Sequence, residues 1–237
     1  MFIHHSTEPD LSARLLMATP KMTLQLTDVC SSGSIKLVHT FSHETSKFTM
    51  EDCIHLMDCS GDGRLAAVAD HTSNIVILDL KSLKVHATLP RYKSHPTALA
   101  FNPSSDLLVV SYADHKIVEY DVIKRQYTPF SKKLSEKLPV QWLSRSCAVR
   151  HITFDVRHPD VIILHDDSVI YTIDKNKVKM GPSFNMLSSP AVGACLLAFF
   201  FWEQDKLMTA FVTVPRDPGR AVSFFYFYPL FFLLWLE

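Results

Sequence analysis

The feature that most constrains this chain is repetition. His55-Leu-Met-Asp-Cys-Ser60 leads through a turn into Leu65 to Ala69, then Asp70-His71, then Ile75 to Asp79. Ala98-Leu-Ala-Phe-Asn-Pro103 leads in the same way into Leu107 to Tyr112, Asp114-His115 and Ile117 to Asp121. Asp70-His71 thus recurs as Asp114-His115, a spacing of 44 residues. A third copy runs through His151-Ile-Thr-Phe154, Val161 to Leu164, Asp166-Asp167 and Val169 to Ile173. Upstream, Leu37-Val-His-Thr-Phe41 resembles Val85-His-Ala-Thr-Leu89 and marks part of an earlier copy. A period of about 40–45 residues with four strands per unit is the signature of a WD-type blade. One such sheet cannot bury both faces alone, so neighbours must stack.

Each copy reads as short β-branched and apolar runs bounded by Gly, Asp, Asn, Ser or Pro, as antiparallel sheets require. Gly61-Asp62-Gly63 is a tight-turn signal, because glycine accepts positive φ. The expected fold is therefore all-β, a partial WD-repeat β-propeller of about three and a part blades. The Trp-Asp dipeptide itself is degenerate, reading Leu78-Asp79, Tyr120-Asp121 and, in the third copy, Thr172-Ile173. Residues 1–20 form a poorly defined N-terminal segment, 21–177 the blades, and 178–237 an atypical hydrophobic tail. The tail's two apolar stretches, in 192–202 and 223–237, are shorter than the roughly 18–20 residues a spanning helix needs, and Pro229 interrupts the second. An abnormal C-terminus, such as an alternatively spliced end, explains them more simply than a membrane anchor. No membrane partner is expected, and the N-terminus lacks the apolar core of a secretory signal.

Signals for chemistry are few. No phosphate-cradling glycine loop, HExxH or GxSxG element occurs, so no catalytic residue and no cofactor or small-molecule substrate is expected. The five cysteines are scattered without a CxxC pair, which fits reduced thiols and no zinc site. His4-His5 is too short a cluster to bind a metal. His71, His115 and His165 each lie beside an aspartate, Asp70, Asp114 and Asp166. All six are read as structural turn residues at one place in the repeat, since Asp side chains cap turns through backbone N–H groups. Catalysis there would demand the same chemistry three times.

Positive and negative side chains balance at 24 each, so no global basic field draws in nucleic acid. One local cluster stands out. Lys124, Arg125, Lys132, Lys133 and Lys137 are interleaved with Tyr127, Phe130 and Trp142. Cations among aromatics hold RNA by phosphate contact and stacking, and any direct RNA contact belongs here. The competing reading, which Glu136, Pro129 and Pro139 favour, is a solvated interblade loop whose aromatics pack beneath a blade.

From Leu83-Lys-Val-His-Ala-Thr-Leu-Pro-Arg-Tyr92 onward the chain resembles the cirhin family of small nucleolar RNA-associated WD-repeat proteins. The resemblance continues through Thr97-Ala-Leu-Ala100, Leu107-Leu-Val-Val110, Val118-Glu-Tyr120, Lys124-Arg-Gln-Tyr-Thr128 and Trp142-Leu143. It ends with His151-Ile-Thr-Phe154, Val161-Ile-Ile-Leu-His-Asp166 and Ile173-Asp-Lys175. It spans about Lys36 to Lys177 and departs at both ends, which points to a truncated or alternatively spliced form with the later blades of a second propeller. The resemblance implies a non-catalytic scaffold in the nucleus and nucleolus. That scaffold would act in small-subunit processome assembly and pre-rRNA processing, with a link to ribosomal DNA transcription. Its partners would be other processome proteins, with pre-rRNA contact weak or indirect. A generic WD-repeat adaptor in another complex, such as a ubiquitin ligase receptor, is the alternative.

Overall fold

Two apolar runs, Leu65 to Asp70 and Ile75 to Asp79, show why blades form in this chain. Both are buried along almost their whole length. Alternation then sends side chains to opposite faces. Leu65, Ala67, Ala69, Ile75 and Ile77 join one apolar cluster, and Ala66, Val68, Val76 and Leu78 join another. A sheet buried on both faces reads as a continuous apolar run rather than an alternating one.

The computed structural model describes residues 2–5, 11–155, 157–166, 169–185, 192–203, 206–215 and 224–229. The first antiparallel sheet orders β1 (Phe2–His5), β2 (Leu11–Ala18), β3 (Leu24–Cys30) and β4 (Ile35–Phe41), and a short helix α1 (His43–Ser46) follows. The second contains β5 (Ile54–Cys59), β6 (Leu65–Asp70), β7 (Ile75–Asp79) and β8 (Lys84–Thr88). The third contains β9 (Pro96–Phe101), β10 (Leu107–Tyr112), β11 (Ile117–Asp121) and a stub, β12 (Gln126–Tyr127). Helices α2 (Pro129–Lys137) and α3 (Val140–Leu143) precede the fourth, β13 (His151–Phe154), β14 (Val161–His165), β15 (Val169–Asp174) and β16 (Lys179–Asn185). A three-stranded sheet, β17 (Val192–Glu203), β18 (Lys206–Pro215) and β19 (Phe224–Pro229), completes the described strands. The chain is all-β, built of successive four-stranded antiparallel blades, as a partial WD-repeat propeller requires.

The chain divides into two compact units, Met1–Ala113 with Ile117–Ser131, and Asp114–Lys116 with Lys132–Glu237. Inside the first unit, Leu16, Leu24, Leu26 and Phe41 of the first sheet pack with Ala66, Val68, Val76 and Leu78 of the second. The opposite face of the second sheet packs on Leu99, Phe101, Leu108, Val110, Tyr112, Val118 and Tyr120 of the third. Polar contacts run along this same seam. The Asp58 carboxylate accepts the Phe101 N–H at 2.7 Å, and His55 Nε2 lies 3.0 Å from the Pro96 carbonyl. Arg64 meets Asp106 at 3.0 Å. A Cβ on Gly61 would fall 2.4 Å from the Pro103 carbonyl oxygen, so glycine alone permits that approach.

Several sequence expectations are corrected by the strand pairing. The first copy is a four-stranded sheet whose β1 and β2 both lie inside residues 1–20. The structural period between the second and third sheets is 42 residues. Leu65 pairs with Asp79 where Leu107 pairs with Asp121. Asp70-His71 and Asp114-His115 are therefore offset by two positions within their hairpins. The third dipeptide is Ile173-Asp174 and not Thr172-Ile173, since Asp174 faces Val161 as Asp79 faces Leu65. Lys132, Lys133 and Lys137 stand on helix α2 rather than in a loop. Past Lys177 the chain still pairs, Lys179 with Asp174 and Phe184 with Ile170.

Candidate functional site

A shared hairpin geometry sets the polar residues of each blade. The first turn of the second, third and fourth sheets closes with the same backbone bond: Ser60 N–H to Leu65, Asn102 N–H to Leu107 and Asp155 N–H to Val161. Asp79, Asp121 and Asp174 end the third strand of each sheet and accept backbone N–H groups from the turn that follows. These are Asx turns, in which a carboxylate replaces missing ladder partners.

The turn residues anticipated from sequence lie around the next hairpin. Asp70 accepts N–H groups from Thr72 at 2.9 Å, Asn74 at 3.1 Å and Glu51 at 3.0 Å. Asp114 accepts the Lys116 N–H at 3.2 Å, and Asp166 accepts that of Val169 at 2.8 Å. His115 has φ of 61°, in the slot that Ser73 fills at 66° and Met22 at 54° in the preceding sheets. His71 is exposed and stacks on His55, rings 3.9 Å apart. His165 departs from the expectation. It lies within β14, paired with His151 and Ile170, because in this copy histidine precedes the aspartate. Its ring stacks on His151 at 4.6 Å, and burial lowers its pKa to about 4.

The second unit holds a buried ion pair that sequence reasoning missed. Arg145 Nη1 donates to Asp166 at 3.1 Å, with side chains 10% and 2% exposed. Its guanidinium lies 3.7 Å from the centre of the Trp142 ring and 4.7 Å from that of Tyr171, a cation–π arrangement on both. Trp142 Nε1 donates to the His115 carbonyl at 2.6 Å, which ties α3 to that turn. A lone arginine after a Trp-Leu pair carries no motif, so only the fold brings these groups together.

The basic residues of this segment divide between a turn and helix α2. Lys124 pairs with Asp121 at 2.8 Å, and Arg125 donates to the His86 carbonyl at 2.9 Å. Lys132, Lys133 and Lys137 are exposed on α2, whose Leu134 is buried, as is Leu138 just past its end. Trp142 is 3% exposed and committed to its hydrogen bond, so it offers no stacking face. Tyr127, 42% exposed, is the most open ring of the segment.

These groups build turns and seams. The hairpin aspartates Asp70, Asp114 and Asp166 accept backbone N–H groups. His39 Nε2 on β4 lies 2.7 Å from the hydroxyl of Ser46 at the end of α1. No group of three or more His, Cys, Asp or Glu with metal-binding geometry occurs among the described residues, and no described helix is long and apolar enough to cross a membrane. Cys30, Cys53, Cys59 and Cys147 are free thiols.

No protein-family model matches the chain. Among curated proteins it is 34% identical over 166 residues to the U3 small nucleolar RNA-associated protein 4 homolog of Mus musculus, and 31% identical over the same length to that of Homo sapiens. Each match covers 70% of this chain and 24% of the relative. It is also 32% identical over 112 residues to U3 small nucleolar RNA-associated protein 4 of Schizosaccharomyces pombe, covering 47% of this chain and 16% of the relative. The chain spans about a quarter, 24%, of the length of the two mammalian relatives.

Proposed function

We propose that this chain belongs to the U3 small nucleolar RNA-associated protein 4 family and serves as a non-catalytic WD-repeat scaffold in ribosome biogenesis. On this reading it works in the nucleolus, in small-subunit processome assembly and pre-rRNA processing, with a link to ribosomal DNA transcription. Its partners are other processome proteins, and its contact with pre-rRNA is indirect or weak. The observation that carries the proposal is the match over 166 residues, which takes in most of the repeat region. The blades agree with it. Both faces of the second sheet are consumed by stacking and the hairpin aspartates by turns, which leaves rims and edges as the surface a scaffold offers.

Affinity capture of the full chain from nucleolar extract, with and without RNase, tests the reading. Recovery of U3 small nucleolar RNA together with processome proteins, the proteins persisting after RNase, is expected. Capture of a ubiquitin ligase core or another unrelated complex in their place would overturn it. Filter binding of the purified chain to pre-rRNA across salt concentrations tests the RNA clause. Each phosphate contact to a single strand adds about 0.7 to the salt slope, so reversal of Lys132 and Lys133 flattens that slope only if they touch RNA.

A further inference from the structure

The turns after the third strands of the second and third sheets bring cations together at one corner of the first unit. Lys81 and Lys84 flank the turn between β7 and β8, and Lys124 and Arg125 form the turn between β11 and β12. The two turns are joined directly, because Arg125 Nη2 donates to the carbonyl of His86 on β8 at 2.9 Å. All four cations are exposed. Lys81 and Lys84 form no ion pair among the described residues, and Lys124 is the one that pairs, with Asp121. The carboxylates at the corner are turned inward to the backbone, Asp79 to Lys81 and Ser82, Asp121 to Lys124. Between and beside the cations two apolar groups face solvent, Ile123 at 46% and Tyr127 at 42% exposure.

We infer that this corner is a docking surface for an acidic protein segment that carries an apolar side chain. Cations set around an apolar anchor match such a segment, with charge giving register and the desolvated anchor giving affinity. A phosphate backbone has nothing to place on Ile123. The chain as a whole is neutral, so it has no long-range field to gather a polyanion. The inference goes beyond the processome reading and does not depend on it, since it names a surface and a partner chemistry that any scaffold role could use.

Fluorescence anisotropy on the full chain tests it, with a labelled peptide alternating glutamate and leucine as the probe and oligouridine RNA as the comparator. The peptide is expected to bind more tightly than the RNA. Double reversal, Lys81→Glu with Lys84→Glu, should weaken it by about tenfold and reduce its salt dependence. Ile123→Ser should weaken it severalfold with the salt dependence unchanged. Lys36→Glu, an exposed reversal on β4, should leave binding as it is, and circular dichroism of each variant confirms the fold. The inference is overturned if oligouridine binds as well as the peptide and Ile123→Ser has no effect, which would mark a polyanion surface. Absence of peptide binding at low salt, or binding indifferent to the double reversal, overturns it equally.

Discussion

Asp58 stands on β5 with its carboxylate against the Phe101 N–H, and burial raises its pKa from 3.8 to about 6. The folded chain therefore holds a proton on Asp58 at a pH where the unfolded chain has lost it. Stability from this group is fully present below about pH 3.8 and drains away as pH rises through about 6. Asp58→Asn keeps an acceptor for the N–H without the charge. It should be more stable than the parent by about 1–3 kcal/mol at pH 7.5, with the gain shrinking toward pH 4, in urea melts at the two pH values. Val178 presents a different cost, a β-branched residue at φ of 50°. Val178→Gly should raise stability by about 1 kcal/mol in the same assay, because the left-handed region is open to glycine. Arg145 and Asp166 bury opposite charges together. Removing either alone, by Arg145→Met or Asp166→Asn, should cost about 3–5 kcal/mol, and the double variant should cost less than the sum, as a double-mutant cycle reads directly. The burial of Asp58, the backbone of Val178 and the pairing of Arg145 with Asp166 did not announce themselves in the sequence, since burial, φ and long-range pairing are properties of the fold.

Strands and hairpins were far more legible. The apolar runs of β6, β7, β10 and β14 were evident from composition and turn punctuation, and all four are strands. Their pairing was not. Asp-His at both 70–71 and 114–115 suggested a period of 44, while the hydrogen-bonded register is 42. Identical dipeptides are a weaker guide than strand ends, because a hairpin tolerates many residues at each slot. Phe101 and Phe154 occupy matching places, opposite Leu108 and Ile162, and both are buried. Phe101→Ala and Phe154→Ala should each cost about 3–5 kcal/mol, whereas exposed His71→Gln should stay within about 0.5 kcal/mol, measured by denaturant midpoint. His165 adds a pH signature to β14. Its folded pKa of about 4 lies below the ordinary 6.5, so its stabilising neutral form is complete above pH 6.5 and is lost as pH falls through about 4. His165→Gln should flatten the stability profile across that window.

At the scale of the whole molecule, stacking couples neighbours, and the second sheet gives one face to each of two adjoining sheets. A lesion on one seam should then be felt across it. Gly61→Ala, which drives a Cβ into the Pro103 carbonyl, should lower amide protection in β6 and β10 together under native-state hydrogen exchange. Blade architecture was readable from the repeat at this scale. The first sheet and the strands beyond Lys177 were not, because their letters do not repeat the Asp-His pattern of the second and third sheets.

The left-handed slot in the hairpin between second and third strands is filled by Met22, Ser73 and His115 in turn. Three side chains with nothing chemical in common adopt one backbone shape there, so selection at that slot acts on conformation and scarcely on identity. Copies descended from a common ancestral unit can drift apart letter by letter while the mould stays the same. A profile that scores letters, tuned to a Trp-Asp pair that here reads Leu78-Asp79, Tyr120-Asp121 and Ile173-Asp174, would lose such a lineage long before the architecture itself decayed.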